Sequence, residues 1–133
     1  MTNIYLSSTL KNDWNLEFNQ KITENLEKSG LTVYLPQRDT NQQGDLDVIF
    51  KEDIKGMENA RTLLVVAKNA SENLWLEVGW GYAKDKLIMI LADEADFVPA
   101  FAEKMATEII KVKNLENIEK YIGKLTKSRL KYN

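Results

Sequence analysis

The sequence predicts an α/β domain, a three-layer sandwich around a five-stranded parallel sheet. Three observations predict it. Segments of strand character and segments of helical periodicity alternate five times along the chain. Two runs, Thr62–Ala67 (TLLVVA) and Lys86–Ala92 (KLIMILA), are nearly continuously apolar, as expected of central strands covered on both faces. The length of 133 residues, 44% of them hydrophobic, suits one domain spanning 1–133 with a core of its own.

Asn3–Ser8 (NIYLSS) has the pattern of a first strand. Asn12 or Asp13 can cap a helix running to about Lys28, in which Trp14, Phe18, Ile22 and Leu26 recur at i+4 and form one apolar stripe; Gly30 follows as a C-terminal stop. Leu31–Leu35 (LTVYL) is a second strand, and Pro36 opens a polar loop from Gln37 to Gly44. Leu46 to Ala60 is a helix with Val48, Ile49, Ile54 and Met57 available for packing. Thr62–Ala67 is the third strand, and the turn Asn69–Asn73 leads into a helix ending near Asp85. The fourth strand, Lys86–Ala92, runs into the acidic turn Asp93–Asp96, after which Phe97–Met105 forms a short helix or ordered loop. Thr107–Val112 is the fifth strand and Leu115–Leu130 the last helix. Five such strands suit the flavodoxin-like order 2-1-3-4-5. Ligands then bind at strand C-termini between the first and third strands, which points to Tyr5–Lys11 and Lys68–Glu77.

Composition removes whole classes of chemistry. The chain has no cysteine and no histidine, which excludes thiol nucleophiles, disulfides, Cys/His metal sites and every His-dependent triad. Acid–base work falls to carboxylates, Lys or Tyr, or to a cofactor; the expectation for this chain is no cofactor and no metal. The net charge of −2 argues against a nucleic-acid polymer as partner. The balance is uneven: residues 111–133 carry a net +5, which reads as a solvated or subunit-facing helix face. No stretch is long and apolar enough to span a membrane, and the first residues lack a secretory pattern, so a cytoplasmic location is the expectation.

Three places carry candidate chemistry. Glu77 follows the third strand among apolar neighbours that would raise its pKa, although a carboxylate early in a helix also complements the helix dipole. Gly79 and Gly81 each cost the helix about 1 kcal/mol, which implies close approach of a ligand or tight packing on the sheet. Asp53 stands among several acids on its helix. Gln37 and Arg38, just past the second strand, either line the same cleft or form an ordinary polar loop.

Together these residues resemble the nucleoside 2-deoxyribosyltransferase superfamily, which includes nucleotide N-glycosidases. The resemblance covers roughly residues 3–92. Its motifs are Ile4-Tyr5-Leu6-Ser7-Ser8; Asp53-x-x-Gly56-Met57-x-x-Ala60; and Glu77-x-Gly79-x-Gly81-x-Ala83 with Lys86. The resemblance implies a retaining double displacement at the sugar C1′ of a nucleoside or nucleotide. Glu77 matches the nucleophile, Asp53 the acid that handles the proton of the leaving base, and Tyr5 a tyrosine that orients the nucleophile. Ser71 stands where the transferases usually have a sugar-binding aspartate and the nucleotide-cleaving branch has serine. Lys11 stands in place of an arginine near the 5′-phosphate of that branch. Ser8 and Asn69, in the two segments at the switch point, and Gly79, where a ligand could approach closely, complete the expected substrate-binding set. Ser8 in place of glycine and Arg61 in place of aspartate depart from the pattern. Relatives assemble as homodimers or larger and often share a site residue between subunits. No counterpart of that residue stands in Phe97–Ala102, and Asn133 is the stand-in expected instead; Trp80 and Phe97 are candidate interface anchors. Two further readings are a TIR-like NAD glycohydrolase, suggested by Ser71, Trp75 and Glu77 after an apolar strand, and a nucleotide-binding module that has lost catalysis.

Overall fold

The computed structural model describes residues 2–126. Five parallel strands, β1 (Thr2–Ser7), β2 (Val33–Tyr34), β3 (Ala60–Val66), β4 (Leu87–Asp93) and β5 (Glu108–Val112), form one sheet in the order β2-β1-β3-β4-β5. This is the expected α/β architecture and strand order. The helices are α1 (Asp13–Lys28), α2 (Pro36–Asp39), α3 (Leu46–Asn59), α4 (Glu72–Ala83), α5 (Ala100–Met105) and α6 (Glu119–Thr126).

Side-chain alternation along the strands sorts the core into two layers. Ile4, Leu6, Leu64, Val66, Met89 and Leu91 face α1 and α6, where Phe18, Ile22, Leu26, Tyr121 and Leu125 meet them. Tyr5, Leu63, Val65, Ile88 and Ile90 face the other way, against Met57 of α3, Leu74 and Val78 of α4 and Ala102 of α5. The basic C-terminal segment therefore begins on the face away from Tyr5. Its Lys127, Arg129 and Lys131, and Asn133, lie outside the described residues.

Local signals explain most boundaries. Asn12 caps α1, its side chain accepting from the Asn15 amide at 3.0 Å, and Gly30 takes φ +92° beyond the helix end. Asp45 caps α3 through the Val48 amide at 2.9 Å. Several expectations need correction. The polar loop after Pro36 begins as the helical turn α2, because proline presets its first φ and Asp39 Oδ2 accepts from the Leu35 amide at 2.8 Å. The strand expected over Leu31–Leu35 pairs with β1 only at Val33 and Tyr34. The last helix begins at Glu119 and not Leu115. Leu115 and Ile118 are buried in the preceding turn, where the Leu115 amide donates to Asp93 Oδ1 at 2.7 Å. Val48 is 38% exposed and outside the core, since only the second half of α3 meets the sheet.

Glycine sets how closely α4 approaches. A Cβ on Gly81 would lie 2.4 Å from Leu63 Cδ1, whereas one on Gly79 would meet nothing within 4 Å. Gly81 therefore serves the tight packing, and Gly79 leaves an open surface. Gly81→Ala is expected to destabilise the protein by about 1–3 kcal/mol in chemical unfolding. Adding Leu63→Val, which removes the obstructing methyl, recovers part of that loss. Gly79→Ala is expected to stabilise by about 0.5–1 kcal/mol through helix propensity alone.

Candidate active site

The switch point between β1 and β3 is built from adjacent strand and helix registers. Tyr5 and Ser7 lie two residues apart on β1 and point to the same face, toward α4. Glu77 lies one helical turn before Gly81, so the helix face seated on Leu63 also directs Glu77 at β1, where Tyr5 pairs with Leu63. Its carboxylate accepts from Ser7 Oγ at 2.6 Å and from the Tyr5 hydroxyl at 3.2 Å. Burial pushes the Glu77 carboxyl above the ordinary range; the two hydroxyls pull it back, and the charge of Asp53 adds to the rise. Tyr5 is 1% exposed. Burial, then the Glu77 and Asp53 charges, raise its phenol, so it remains a donor.

The second carboxyl reaches the site from α3. Asp53 Oδ1 accepts from Thr40 Oγ1 at 2.6 Å, and Thr40 Oγ1 lies 2.7 Å from the Tyr34 hydroxyl. The Tyr34 ring stacks on Tyr5 with centroids 5.4 Å apart and planes within 12°. Burial raises the Asp53 pKa, Thr40 opposes it, and the charge of Glu52 on the same helix adds to it. Two carboxyls, two phenols and one threonine hydroxyl thus form one connected group: Glu77, Tyr5, Tyr34, Thr40, Asp53. The motif glycine three residues after Asp53 has a physical reason here. A Cβ on Gly56 would lie 2.9 Å from the Tyr34 ring.

The loops at the strand ends are tied together by Asn15, fully buried in the first turn of α1. Its amide donates to Ser8 Oγ and to the Lys68 carbonyl, both at 3.1 Å, and its Oδ1 accepts from Asn69 at 3.0 Å. Asn69 takes φ +58°, a conformation asparagine tolerates. Ser71 opens α4 without a capping bond from its side chain. Lys11 is exposed on the loop after β1.

Gln37 and Arg38 turn away from Glu77. Gln37 donates to the Leu16 carbonyl at 2.9 Å and accepts from Asn19 at 3.1 Å. Arg38 pairs with Asp39 at 2.9 Å and Glu27 at 3.1 Å, and donates to the Val33 carbonyl. Both line a groove of about 320 Å³ between α1 and α2. Lys86 is likewise engaged in the fold: its ammonium caps the end of α3 at the Glu58 and Ala60 carbonyls, each 2.8 Å away. Sequence reasoning missed Ser7, Tyr34, Thr40 and Asn15. Only Ser7 had a clear signal, its period-two relation to Tyr5. Among the described residues no group of acidic side chains is arranged to hold a metal ion.

The raised Glu77 pKa has a stability consequence with a definite sign. The folded state holds the Glu77 proton more tightly than the unfolded chain. Stability from this group therefore falls as pH rises from the ordinary carboxylate value through the raised one. Glu77→Gln removes that loss while keeping the shape. Thermal unfolding should show a Tm increase on the order of 2–6 °C near neutral pH, shrinking toward zero below the ordinary glutamate pKa of about 4.3.

Comparison with known proteins gives this geometry its context. Solved structures share the fold at low identity. A 2-deoxyribosyltransferase from Bacillus psychrosaccharolyticus superposes with a TM-score of 0.72 at 19% identity, over 89% of this chain and 90% of that one. A CMP N-glycosidase from Clostridium botulinum superposes with 0.72 at 16%, over 92% and 98%. The TIR domain of a Toll-related receptor from Hydra magnipapillata superposes with 0.73 at 13%, over 98% and 99%. No curated protein sequence matches the chain. A family model described as nucleoside 2-deoxyribosyltransferase like matches residues 1–95, the span that contains Tyr5, Asp53 and Glu77, and the chain therefore belongs to that family.

Proposed function

We propose that this protein cleaves or transfers the N-glycosidic bond of nucleosides or 2′-deoxynucleosides, or of their 5′-monophosphates, through a glycosyl ester on Glu77. The observation that carries the reading is the Glu77 carboxylate, partly buried at the switch point and held by hydroxyl donors on both oxygens. Family membership and two neighbours with glycosyl-transfer and N-glycosidase activities support the reaction class.

In this mechanism a Glu77 oxygen attacks C1′ and the C1′–N bond breaks, its electron pair passing to the base nitrogen. Asp53, whose carboxyl is raised by burial toward the protonated form, serves as the acid and gives its proton to the departing base. Tyr5 and Ser7 hold the carboxylate in line, and the Tyr5 phenol stays protonated throughout. Water or a second base then attacks C1′ from the opposite side, Asp53 takes up the released proton, and Glu77 is freed with net retention. The site does this with carboxyls and phenols, as a chain without cysteine or histidine requires.

At the sugar 5′ end, the unused Ser71 hydroxyl and the first amides of α4 suit an anion, and Lys11 brings charge on the neighbouring loop. A 5′-monophosphate is therefore the favoured substrate over the free nucleoside. Purified protein given deoxynucleosides and their monophosphates, with and without acceptor base, should release or exchange the base, fastest with monophosphates. Glu77→Ala should lower turnover by about 10³-fold or more. Unchanged substrates, or consumption of NAD alone, would turn the assignment to nucleotide binding or to NAD glycohydrolysis respectively.

The assembly is a homodimer or larger, through the layer that also carries the site. Leu76 of α4, Phe101 of α5, the nearby Phe97, and Leu46 and Phe50 of α3 are 62–80% exposed, while Trp80 is partly buried against the core. Light scattering at micromolar concentration should give a dimer or larger. Leu76→Glu combined with Phe101→Glu should give a folded monomer; a monomeric parent protein would exclude this assembly.

A further inference from the structure

We infer that Thr40 and Tyr34 are positioning residues for Asp53: their hydroxyls fix one carboxyl oxygen as a hydrogen-bond acceptor and so place the transferable proton on the other. The inference deepens the glycosidic reading above and rests on it for the role of Asp53 as the acid.

The argument begins with the proton count of a hydroxyl, one donor for each oxygen. Thr40 is 5% exposed, and its Oγ1 touches both Asp53 Oδ1 at 2.6 Å and the Tyr34 hydroxyl at 2.7 Å. If Thr40 donates to Asp53, its oxygen is left to accept, and the proton between Thr40 and Tyr34 belongs to the phenol. Burial raises the Tyr34 phenol, so the phenol keeps that proton. The chain of bonds then runs one way, from Tyr34 to Thr40 to Oδ1.

The opposite direction is poorly served. A proton on Oδ1 would turn Thr40 into an acceptor from Asp53 and send its own proton toward Tyr34. The phenol would then have to donate elsewhere, and its other acceptor is the Glu52 carbonyl, 3.5 Å away at the limit of hydrogen bonding. Protonation on Oδ2 leaves the whole chain intact, and among the described residues Oδ2 has no hydrogen-bond partner inside the protein. The proton is thereby held on the oxygen free to meet a leaving base.

The parts are held in place independently of Asp53. The Tyr34 ring is pinned between Tyr5 and the Gly56 backbone, and the Thr40 amide donates to the Pro36 carbonyl at 3.0 Å. The charged and titratable groups around Asp53 are Glu52 on its own helix, Glu77 from α4, Tyr5 from β1 and Tyr34 from β2. Asp39, next to Thr40, is neutralised by Arg38.

The test reads Asp53 directly, without substrate. Carboxyl-¹³C aspartate is incorporated, the Asp53 signal is identified by its loss in Asp53→Asn, and its titration is followed by NMR. Thr40→Val removes a donor to the ionised form and should raise the apparent pKa by about one unit. Tyr34→Phe should raise it by less, and Thr40→Ser should restore the parent value. In turnover, the activity that depends on protonated Asp53 falls as pH rises. The alkaline limb of kcat should therefore move upward by the same amount in Thr40→Val, with KM little changed. An unmoved titration in folded Thr40→Val, or a failure of Thr40→Ser to restore it, overturns the inference. A shifted titration in a protein that releases base from no deoxynucleoside or monophosphate supports the placement of the proton and overturns the glycosidic reading instead.

Discussion

The close seating of α4 on the sheet is the constraint on which the site depends. Gly81 lies against Leu63 with no room for a Cβ, and Leu63 is the register partner of Tyr5. One turn earlier on the same helix face, Glu77 comes within hydrogen-bond reach of Tyr5 and Ser7. A helix held farther out would leave the carboxylate short of both hydroxyls and open to water. Packing geometry and site chemistry are thus one problem, settled by a residue that has no side chain.

The same logic recurs on α3. Gly56 admits the Tyr34 ring, the ring stacks on Tyr5, and its hydroxyl meets Thr40 beside Asp53. The two carboxyls are brought to the cleft by different helices yet are referred to one pair of stacked rings. A displacement of either helix would be felt at both. Asn15 performs the corresponding service for the backbone, joining the loops after β1 and β3 through three hydrogen bonds from a fully buried amide. Such a satisfied buried polar group gives the loops one arrangement, where two solvated loops would sample several.

How much of this was legible in the sequence follows from the range of each interaction. The strand order came from the alternation of strands and helices read by analogy with flavodoxin-like folds, Glu77 stood out by its apolar neighbours, and Asp53 and Tyr5 were marked by the resemblance to the family motifs. Period-two alternation from Tyr5 points to Ser7 on the same face of the strand. Thr40 could not be found that way. It sits in a polar stretch where every residue looks alike, and its significance comes from a contact with Asp53, thirteen positions on, across the loop that leads into α3. Gln37 and Arg38 show the converse. Their position after a strand end suggested the cleft, but the α2 turn swings them toward α1 and Glu27, where fold-maintaining bonds occupy them.

The absence of histidine gives these hydroxyls their importance. A histidine site can tune its proton near neutrality with little help, because the imidazole starts there. Carboxyls start well below, and must be lifted by burial to hold a proton where the cell works. Burial raises both Glu77 and Asp53, a direction that suits an acid and opposes a nucleophile. The arrangement separates them: Glu77 receives two hydroxyl donors that favour its ionised form, and Asp53 receives one. That difference of one hydrogen bond, on two carboxyls both raised by burial, favours the ionised form more at Glu77 than at Asp53, the direction that the proposed roles of nucleophile and acid need.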